Sequence, residues 1–261
     1  VYHSRQLGDA RQNVENIRNG SIAFTSVSIA NLSQVIPAMD MFSLPYIFKN
    51  DAHYWYCIQH ENIAKFMSQL EPKGIKRISW ITSGARSLFT QKPVNVPADL
   101  KGQKIRVMAS PVMINTMNAL GANGVPVAWG ELYNALQTGV VDGAENNPPT
   151  LYNHKHYEIA NHYSLTHHLI VPEIFVFSKK VWDTMSPLDQ QLIRKASALT
   201  VQRERDLWAT KEAGDMANLK KVGVKINEVP DTAPFIAATQ SVRDELGKKF
   251  ADLIKQAQAV K

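Results

Sequence analysis

The feature that most constrains the fold is a long, nearly unbroken helical pattern in the last third of the chain. Ser186 and Pro187 form a typical helix start, with an N-cap serine followed by proline at the first helical position. The pattern continues to about Lys221, with Gly214 as its weak point. At about 1.5 Å of rise per residue such a helix spans roughly 50 Å, more than the width of one small domain. We therefore predict that it crosses between two domains.

Short strands alternate with helices along the rest of the chain. Asp9 is predicted to cap a helix that ends at Asn19, before Gly20, and Asp51 is predicted to start a helix of about five turns. Residues 75–82 are apolar and β-branched, which predicts a central strand. Together with the long helix, this alternation predicts an α/β protein of two lobes with segments crossing between them.

Length and composition agree with a packed globular protein. The 261 residues suit about two domains, and no stretch reaches the roughly 18 consecutive apolar residues that a membrane helix needs. Lys and Arg outnumber Asp and Glu by 29 to 23. The basic residues are dispersed in pairs, which argues against a nucleic-acid partner and favours a basic surface around a site for small anions.

Cysteine and histidine usage gives no support for a metal or a cofactor. A single cysteine, Cys57, excludes an internal disulfide framework and a cysteine-based zinc site. The most suggestive histidines, His154 and His156, fall where a helix is expected, which would turn their side chains apart. We therefore predict no metal site and no cofactor.

Motifs for catalysis are missing from the sequence. There is no Gly-x-Ser-x-Gly phrase, no dinucleotide-binding glycine pattern and no phosphate-binding loop. Asp142 and Glu145 could act as an acid and a base, but such a pair needs a defined pocket. We predict that the chain is not an enzyme, and an enzyme acting on a small acidic substrate is the less favoured alternative.

Arginine and amide side chains at the ends of predicted strands are the strongest candidates for a binding site, namely Arg86, Arg106 and Asn146. Arg106 interrupts an otherwise apolar strand. Its guanidinium either faces solvent or is placed for a carboxylate, whose geometry it matches with two charge-assisted hydrogen bonds. Trp129 follows a short strand and either belongs to the core or lines a pocket.

Specific phrases of the chain resemble a known family. They are QLGD at 6–9, FSLPYIF at 42–48, DLKGQKIRV at 99–107 and, the longest, WGELYNALQTGVVDGAEN at 129–146. In this order and at these spacings they resemble the solute-binding proteins of tripartite ATP-independent periplasmic (TRAP) transporters, the DctP-type family. The helix start at Ser186 also fits, so the resemblance covers nearly the whole chain.

The resemblance implies a periplasmic protein whose two α/β lobes close on a small organic acid and deliver it to the permease subunits of a sodium-coupled transporter. We predict a first lobe from residues 1–84 and 172–211 and a second from residues 85–171 and 212–261. Members of the family carry a further strand and helix before the QLGD phrase, so we expect part of the first lobe to be missing from this sequence. A monomer is expected, with a dimer as the alternative.

The resemblance also implies roles for individual residues. Arg106 would pair with the ligand carboxylate, Arg86 would be a second pocket arginine, and Asn146 would supply an amide beside the same carboxylate. Trp129 would form an aromatic wall of the pocket. Glu173 matches a polar position at the start of a late strand.

The same residues bear on the identity of the acid. Glu173, if ionised in the cleft, would repel a second carboxylate and accept hydrogen bonds from hydroxyl groups. Trp129 offers a flat apolar face for a sugar ring, and Asn146 and Asn147 offer donors and acceptors for hydroxyls. These features favour a hexuronate such as glucuronate or galacturonate. A C4-dicarboxylate, which two arginines would suit, is the alternative ligand, and a ligand-sensing module is the alternative function.

Overall fold

The computed structural model describes residues 2, 6–248 and 251, and within them helices and strands alternate along the chain. The α-helices are α1 (Ala10–Asn19), α2 (Asp51–Gln59), α3 (Glu61–Met67), α4 (Pro111–Ala119), α5 (Leu132–Gln137), α6 (Pro148–Asn153), α7 (Lys179–Trp182), α8 (Pro187–Lys221), α9 (Ala233–Ala238) and α10 (Gln240–Gly247). The strands are β1 (Phe24–Ser28), β2 (Ile75–Ile81), β3 (Ala85–Thr90), β4 (Lys104–Val107), β5 (Asn123–Pro126), β6 (Gly143–Asn146), β7 (His162–Ile170), β8 (Glu173–Ser178) and β9 (Lys225–Asn227). The predicted α/β class is confirmed.

Local capping explains where the first helix begins and ends. The side chain of Asp9 accepts a hydrogen bond from the backbone N–H of Gln12, whose own side chain accepts one from the backbone of Asp9. Gly20 ends the helix with a φ of 89°, a left-handed conformation that glycine adopts without a steric penalty. The predicted helix from Asp9 to Asn19 is confirmed.

The predicted five-turn helix from Asp51 is wrong in one respect, because the structure divides it into α2 and α3. His60 lies between them in an extended conformation, with φ −63° and ψ 139°. Its Nδ1 atom accepts a hydrogen bond from the backbone N–H of Asn62 and so caps α3. The chain therefore bends at His60, where the side chain competes for a backbone donor.

Two sheets organise the described part of the chain. The smaller has the strand order β1-β8-β2, with β8 antiparallel to both neighbours. The larger has the order β5-β4-β6-β3-β7-β9 and mixes parallel with antiparallel pairs. The prediction that residues 75–82 form a central strand is wrong. Its strand β2 pairs with β8 alone, and the equally apolar β8 occupies the centre.

Helix α8 extends from one sheet to the other. Its Ser197 Oγ lies 2.6 Å from the Oγ of Ser79 on β2, in the smaller sheet. Farther along, Asp215 accepts a hydrogen bond of 3.2 Å from the Nδ2 atom of Asn153, on the helix that follows β6 of the larger sheet. The prediction of a long helix crossing between two units is therefore confirmed, with its start capped by Ser186 as expected.

Besides α8, short segments connect the two sheets. Residues 82–84 join β2 to β3, and residues 171–172 join β7 to β8. The apolar core divides into two clusters. The first spans α1–α4, the smaller sheet and residues of β3, β4 and β7 in the larger sheet, and the second lies between α5, α6, the end of α8 and the larger sheet. In the described part of the chain no helix combines the length and the apolar character needed to cross a lipid bilayer.

Candidate functional site

The predicted site residues gather where the ends of the two sheets are linked. In the larger sheet, the parallel strands β4 and β6 end next to the beginning of β3. In the smaller sheet, Glu173 pairs with both Ser28 and Ile81, at the ends of their strands. Because residues 82–84 and 171–172 connect these ends directly, they face a common crevice. A crevice at the carboxyl ends of strands is the usual ligand-binding position in open α/β sheets.

Arg106 is held in this crevice by a backbone carbonyl and an aromatic ring. Its side chain is on β4 and the residue is only 3% exposed. The Nε atom donates a hydrogen bond of 2.8 Å to the carbonyl oxygen of Val127. The guanidinium carbon lies 5.4 Å from the ring centroid of Trp129, a cation–π distance. The structure thus brings two of the predicted site residues, Arg106 and Trp129, into contact.

Arg86, in contrast, is already paired with a carboxylate of the same chain. Its Nε and Nη2 atoms donate hydrogen bonds of 2.6 and 2.8 Å to the two carboxylate oxygens of Glu145. Nη2 also donates one of 3.0 Å to the backbone carbonyl of Glu145. This is the bidentate geometry that makes arginine–carboxylate pairs strong.

His168 extends this pair into a buried cluster of three side chains. Its Nε2 atom lies 3.8 Å from a carboxylate oxygen of Glu145, and its Nδ1 atom lies 2.8 Å from the hydroxyl of Thr166. Burial lowers the pKa of His168 to about 4, so the imidazole is neutral at neutral pH. The neutral ring therefore adds no second positive charge beside Arg86, which pairs directly with Glu145.

Strand register separates the two arginines. Arg106 pairs with Ala144, and Ser87 pairs with Asn146, so Arg106 and Asn146 lie on one face of the larger sheet. Leu88 pairs with Glu145, which places Arg86 and Glu145 on the opposite face. Arg106 and Asn146 therefore form one group and Arg86 belongs to another, although all of them lie near the same end of the sheet.

The two asparagines that follow β6 have different roles. Asn146 Oδ1 accepts a hydrogen bond from the backbone N–H of Asn147, and Nδ2 of Asn146 makes no hydrogen bond within the described residues. Asn147 is used internally, since its Oδ1 caps α6 at Thr150 and its Nδ2 donates to the carbonyl of Ser83. Asn146 therefore keeps donors for a ligand, whereas Asn147, expected to help, holds the crossing segment 82–84 to β6.

Glu173 begins β8 on the opposite side of the crevice. Burial raises its pKa to about 7, and the nearby positive charge of Arg86 only partly offsets this effect. With a pKa near 7, Glu173 is partly protonated at neutral pH, so its repulsion of a second ligand carboxylate is weaker than that of a fully ionised group. In its protonated form the group both donates and accepts hydrogen bonds.

The structure gives no arrangement for acid–base catalysis by Asp142 and Glu145. Asp142 accepts a hydrogen bond of 2.7 Å from the backbone N–H of Lys104, while Glu145 is bound by Arg86.

Among the described residues, no group of three or more His, Cys, Asp or Glu side chains could hold a metal ion. The expectation that His154 and His156 turn apart is wrong, because their rings stack with centroids 5.8 Å apart.

A separate cavity of about 360 Å³ lies between α8 and the larger sheet, with Tyr163, His167 and Glu212 among its lining residues. Of the predicted site residues, Arg86, Arg106, Trp129, Asn146 and Glu173, none lines this cavity. The predicted residues lie instead at the crevice between the sheet ends, which we take as the candidate site.

Sequence reasoning missed the site roles of Glu145 and His168. A signal for Glu145 was present, because it stands beside Asn146 in a short strand, and neighbours in a strand point to opposite faces. The buried carboxylate of Glu145 therefore needs a partner on the sheet face opposite the side-chain amide of Asn146. No comparable signal marks His168, whose role depends on the packing of β7 against β6 and β3.

Comparisons with known proteins identify the family of this chain. A sequence model described as "Bacterial extracellular solute-binding protein, family 7" matches residues 1–249. A solute-binding protein from Chromohalobacter salexigens is 39% identical over 257 residues, covering 97% of this chain and 76% of that protein.

Solved structures are similar over nearly the whole chain. A TRAP periplasmic solute-binding protein from Pseudomonas putida F1, with bound D-glucuronate, has a TM-score of 0.95 at 39% identity and covers 98% of this chain and 84% of that one. One from Sulfitobacter sp. NAS-14.1, with bound β-D-galacturonate, has a TM-score of 0.95 at 34% identity and covers 100% and 88%. These structures confirm the predicted two-lobed fold, and the chain belongs to bacterial extracellular solute-binding protein family 7, the solute-binding proteins of TRAP transporters.

Proposed function

We propose that this protein captures a hexuronate such as glucuronate or galacturonate in the periplasm and delivers it to a sodium-coupled TRAP permease. The observation that carries the choice of ligand is the contrast between the two arginines. Arg106 is positioned at the crevice by Val127 and Trp129, whereas two nitrogen atoms of Arg86 are bound to Glu145. Because Arg86 is already paired with a carboxylate of this chain, Arg106 is the arginine placed for a ligand carboxylate, which favours a monocarboxylate over a C4-dicarboxylate.

The remaining predicted site residues suit hydroxyl groups. Asn146, on the same sheet face as Arg106, offers its Nδ2 donors. Glu173, with its pKa raised to about 7 by burial, can donate to one hydroxyl and accept from another. Trp129 lies beside Arg106, where a pyranose ring attached to the bound carboxylate would meet the indole. Similar structures with bound glucuronate and galacturonate support this assignment.

The proposed lobes follow the two sheets. Strands β1, β2 and β8 fall within residues 1–84 and 172–211, and the remaining strands fall within residues 85–171 and 212–261. The last part of the second range, residues 249, 250 and 252–261, lies outside the described residues. The segments 82–84, 171–172 and α8 would act as hinges, and lobe closure on the acid would present the bound form to the permease.

Calorimetric titration with glucuronate, galacturonate, succinate and malate tests the ligand assignment. We expect a uronate to bind at least about tenfold more tightly than both dicarboxylates, a difference of about 1.4 kcal/mol. Tighter binding of either dicarboxylate than of both uronates would overturn the hexuronate assignment and favour the C4-dicarboxylate. Recovery of the bound uronate in altered form after prolonged incubation would instead favour an enzyme.

A further inference from the structure

A bend in the backbone brings two histidines together beside the carboxylate site. Helix α6 ends at Asn153, His154 follows as its C-cap, and Lys155 adopts a left-handed conformation with φ 55° and ψ 22°. His156 then opens a short 3₁₀ turn. This bend stacks the two imidazoles with centroids 5.8 Å apart and an interplanar angle of 18°. We call His154 and His156 the imidazole pair.

The imidazole pair contacts Trp129 through both of its rings. The ring of His154 lies 4.9 Å from that of Trp129 and the ring of His156 lies 5.1 Å from it, both nearly perpendicular to the indole. On its other side His156 stacks on Phe89 of β3, with centroids 5.8 Å apart and an interplanar angle of 6°. A chain of ring contacts thus connects the sheet core at Phe89 to Trp129.

That chain ends at the guanidinium of Arg106, which lies over the Trp129 ring. We propose that His156, assisted by His154, is a positioning residue of the carboxylate site, which holds Trp129 in place and through it orients Arg106. The proposal rests on the proposed function to the extent that Arg106 binds the ligand carboxylate. It assigns a use to the histidines that neither a metal nor catalysis explains.

The surroundings of His156 indicate that its ring acts by packing, and not by hydrogen bonding through its nitrogen atoms. The residue is 2% exposed, and its Nδ1 atom is buried without a hydrogen bond within the described residues. Burial, and then the charges of His154 and Arg106, lower its pKa to about 4, so the ring is neutral and does not repel the guanidinium. A buried nitrogen without a partner destabilises the fold, so the shape and stacking of the ring carry its role.

Binding of glucuronate to His156→Ala, His156→Phe and the wild type gives the first test. We expect about tenfold weaker binding for His156→Ala, because a loosened Arg106 must be ordered when ligand binds. His156→Phe keeps a stacked ring of similar shape and should restore affinity to within about threefold. The control is Leu219→Ala, at a fully buried residue of α8 in the apolar cluster that also contains Phe89. It should lower stability yet bind within about threefold of the wild type.

Hydrogen exchange at the Nε–H of Arg106, measured by NMR without ligand, gives a second test that does not depend on the ligand's identity. In the wild type this proton is held by Val127. We expect exchange about tenfold faster in His156→Ala and about threefold faster in His154→Ala, which changes an exposed residue and should fold normally. Leu219→Ala should leave the rate within about twofold.

The two tests separate the possible failures. If wild-type protein binds no uronate while the Arg106 proton responds as expected, the proposed ligand is wrong and the positioning role stands. If His154→Ala and His156→Ala leave the exchange rate unchanged, or if Leu219→Ala increases it equally, the positioning role is wrong.

Discussion

Arg86 on β3 and Glu145 on β6 form a buried, bidentate ion pair on one face of the larger sheet, with Nε–Oε2 and Nη2–Oε1 distances of 2.6 and 2.8 Å. The residues are 4% and 1% exposed, so water does not screen the pair. Arg86 was expected to be a second pocket arginine, and from this pairing we propose that it acts as a neutralised, structural group beside the site. It leaves Arg106 as the arginine best placed for the ligand carboxylate.

Breaking this pair should destabilise the fold. Glu145→Gln keeps the side-chain shape but leaves the buried charge of Arg86 without its partner, which should cost about 3–5 kcal/mol of unfolding free energy in urea titrations. Glu158→Gln, at an exposed acid that accepts a hydrogen bond from Tyr133, is the matched control and should change stability by about 0.5 kcal/mol or less. A loss below about 1 kcal/mol for Glu145→Gln would contradict the importance of the pair.

Removing the guanidinium of Arg106 should weaken ligand binding. Arg106→Ala should lose about 3–5 kcal/mol of binding free energy, or roughly two to four decades in Kd, measured by calorimetry with the uronate. Arg106→Lys should also bind poorly, because an ammonium does not reproduce the two-pronged contact. Arg203→Ala, at an exposed arginine of α8, serves as the control and should bind normally. If Arg106→Ala bound within about threefold of the wild type, its assigned role would be wrong.

The raised pKa of Glu173 predicts a pH dependence of stability. Between its ordinary pKa of 4.5 and its folded value of about 7, the folded state holds more protons than the unfolded state. The contribution of Glu173 to stability therefore falls as pH rises through this window and is constant above it. Glu173→Gln removes the titration, so the variant should gain about 2 kcal/mol relative to the wild type between pH 5 and pH 8. An equal difference at both pH values in urea titrations would rule out the shift.

Gly84, in the crossing segment between β2 and β3, should not accept a side chain. Its φ is 65°, and a Cβ atom there would lie 2.7 Å from Nε1 of Trp208 and 3.0 Å from a carboxylate oxygen of Glu212, both on α8. Gly139 has a similar φ of 71° but nothing within 4 Å of that position, which isolates backbone strain from steric clash. We expect Gly139→Ala to cost about 1 kcal/mol and Gly84→Ala about 1–3 kcal/mol more. If the two variants lost equal amounts of unfolding free energy in thermal or urea unfolding, a steric clash between the new Cβ atom at Gly84 and α8 would be ruled out.

Much of the architecture could be predicted from local patterns. The start of α8 at Ser186 and Pro187 and the end of α1 at Gly20 depend on caps and backbone preferences that neighbouring residues supply. The positions of Arg106, Asn146 and Glu173 on strands could likewise be predicted, since strand patterns are local. The guanidinium of Arg106 and the amide of Asn146 pointed to an anion site before any contact was known.

The contacts of those residues required the tertiary structure. Arg86 and Glu145 are 59 positions apart, and only the register of β3 against β6 decides that they meet on the sheet face opposite Arg106 and Asn146. The stacking of His154 on His156 depends on one left-handed residue, Lys155, whose conformation no local preference indicates. Residue types and local spacing therefore determined which elements form and which groups are present. Long-range packing determined which charges are neutralised inside the protein, because register is set by burial of whole strands and not by the sequence around any one residue.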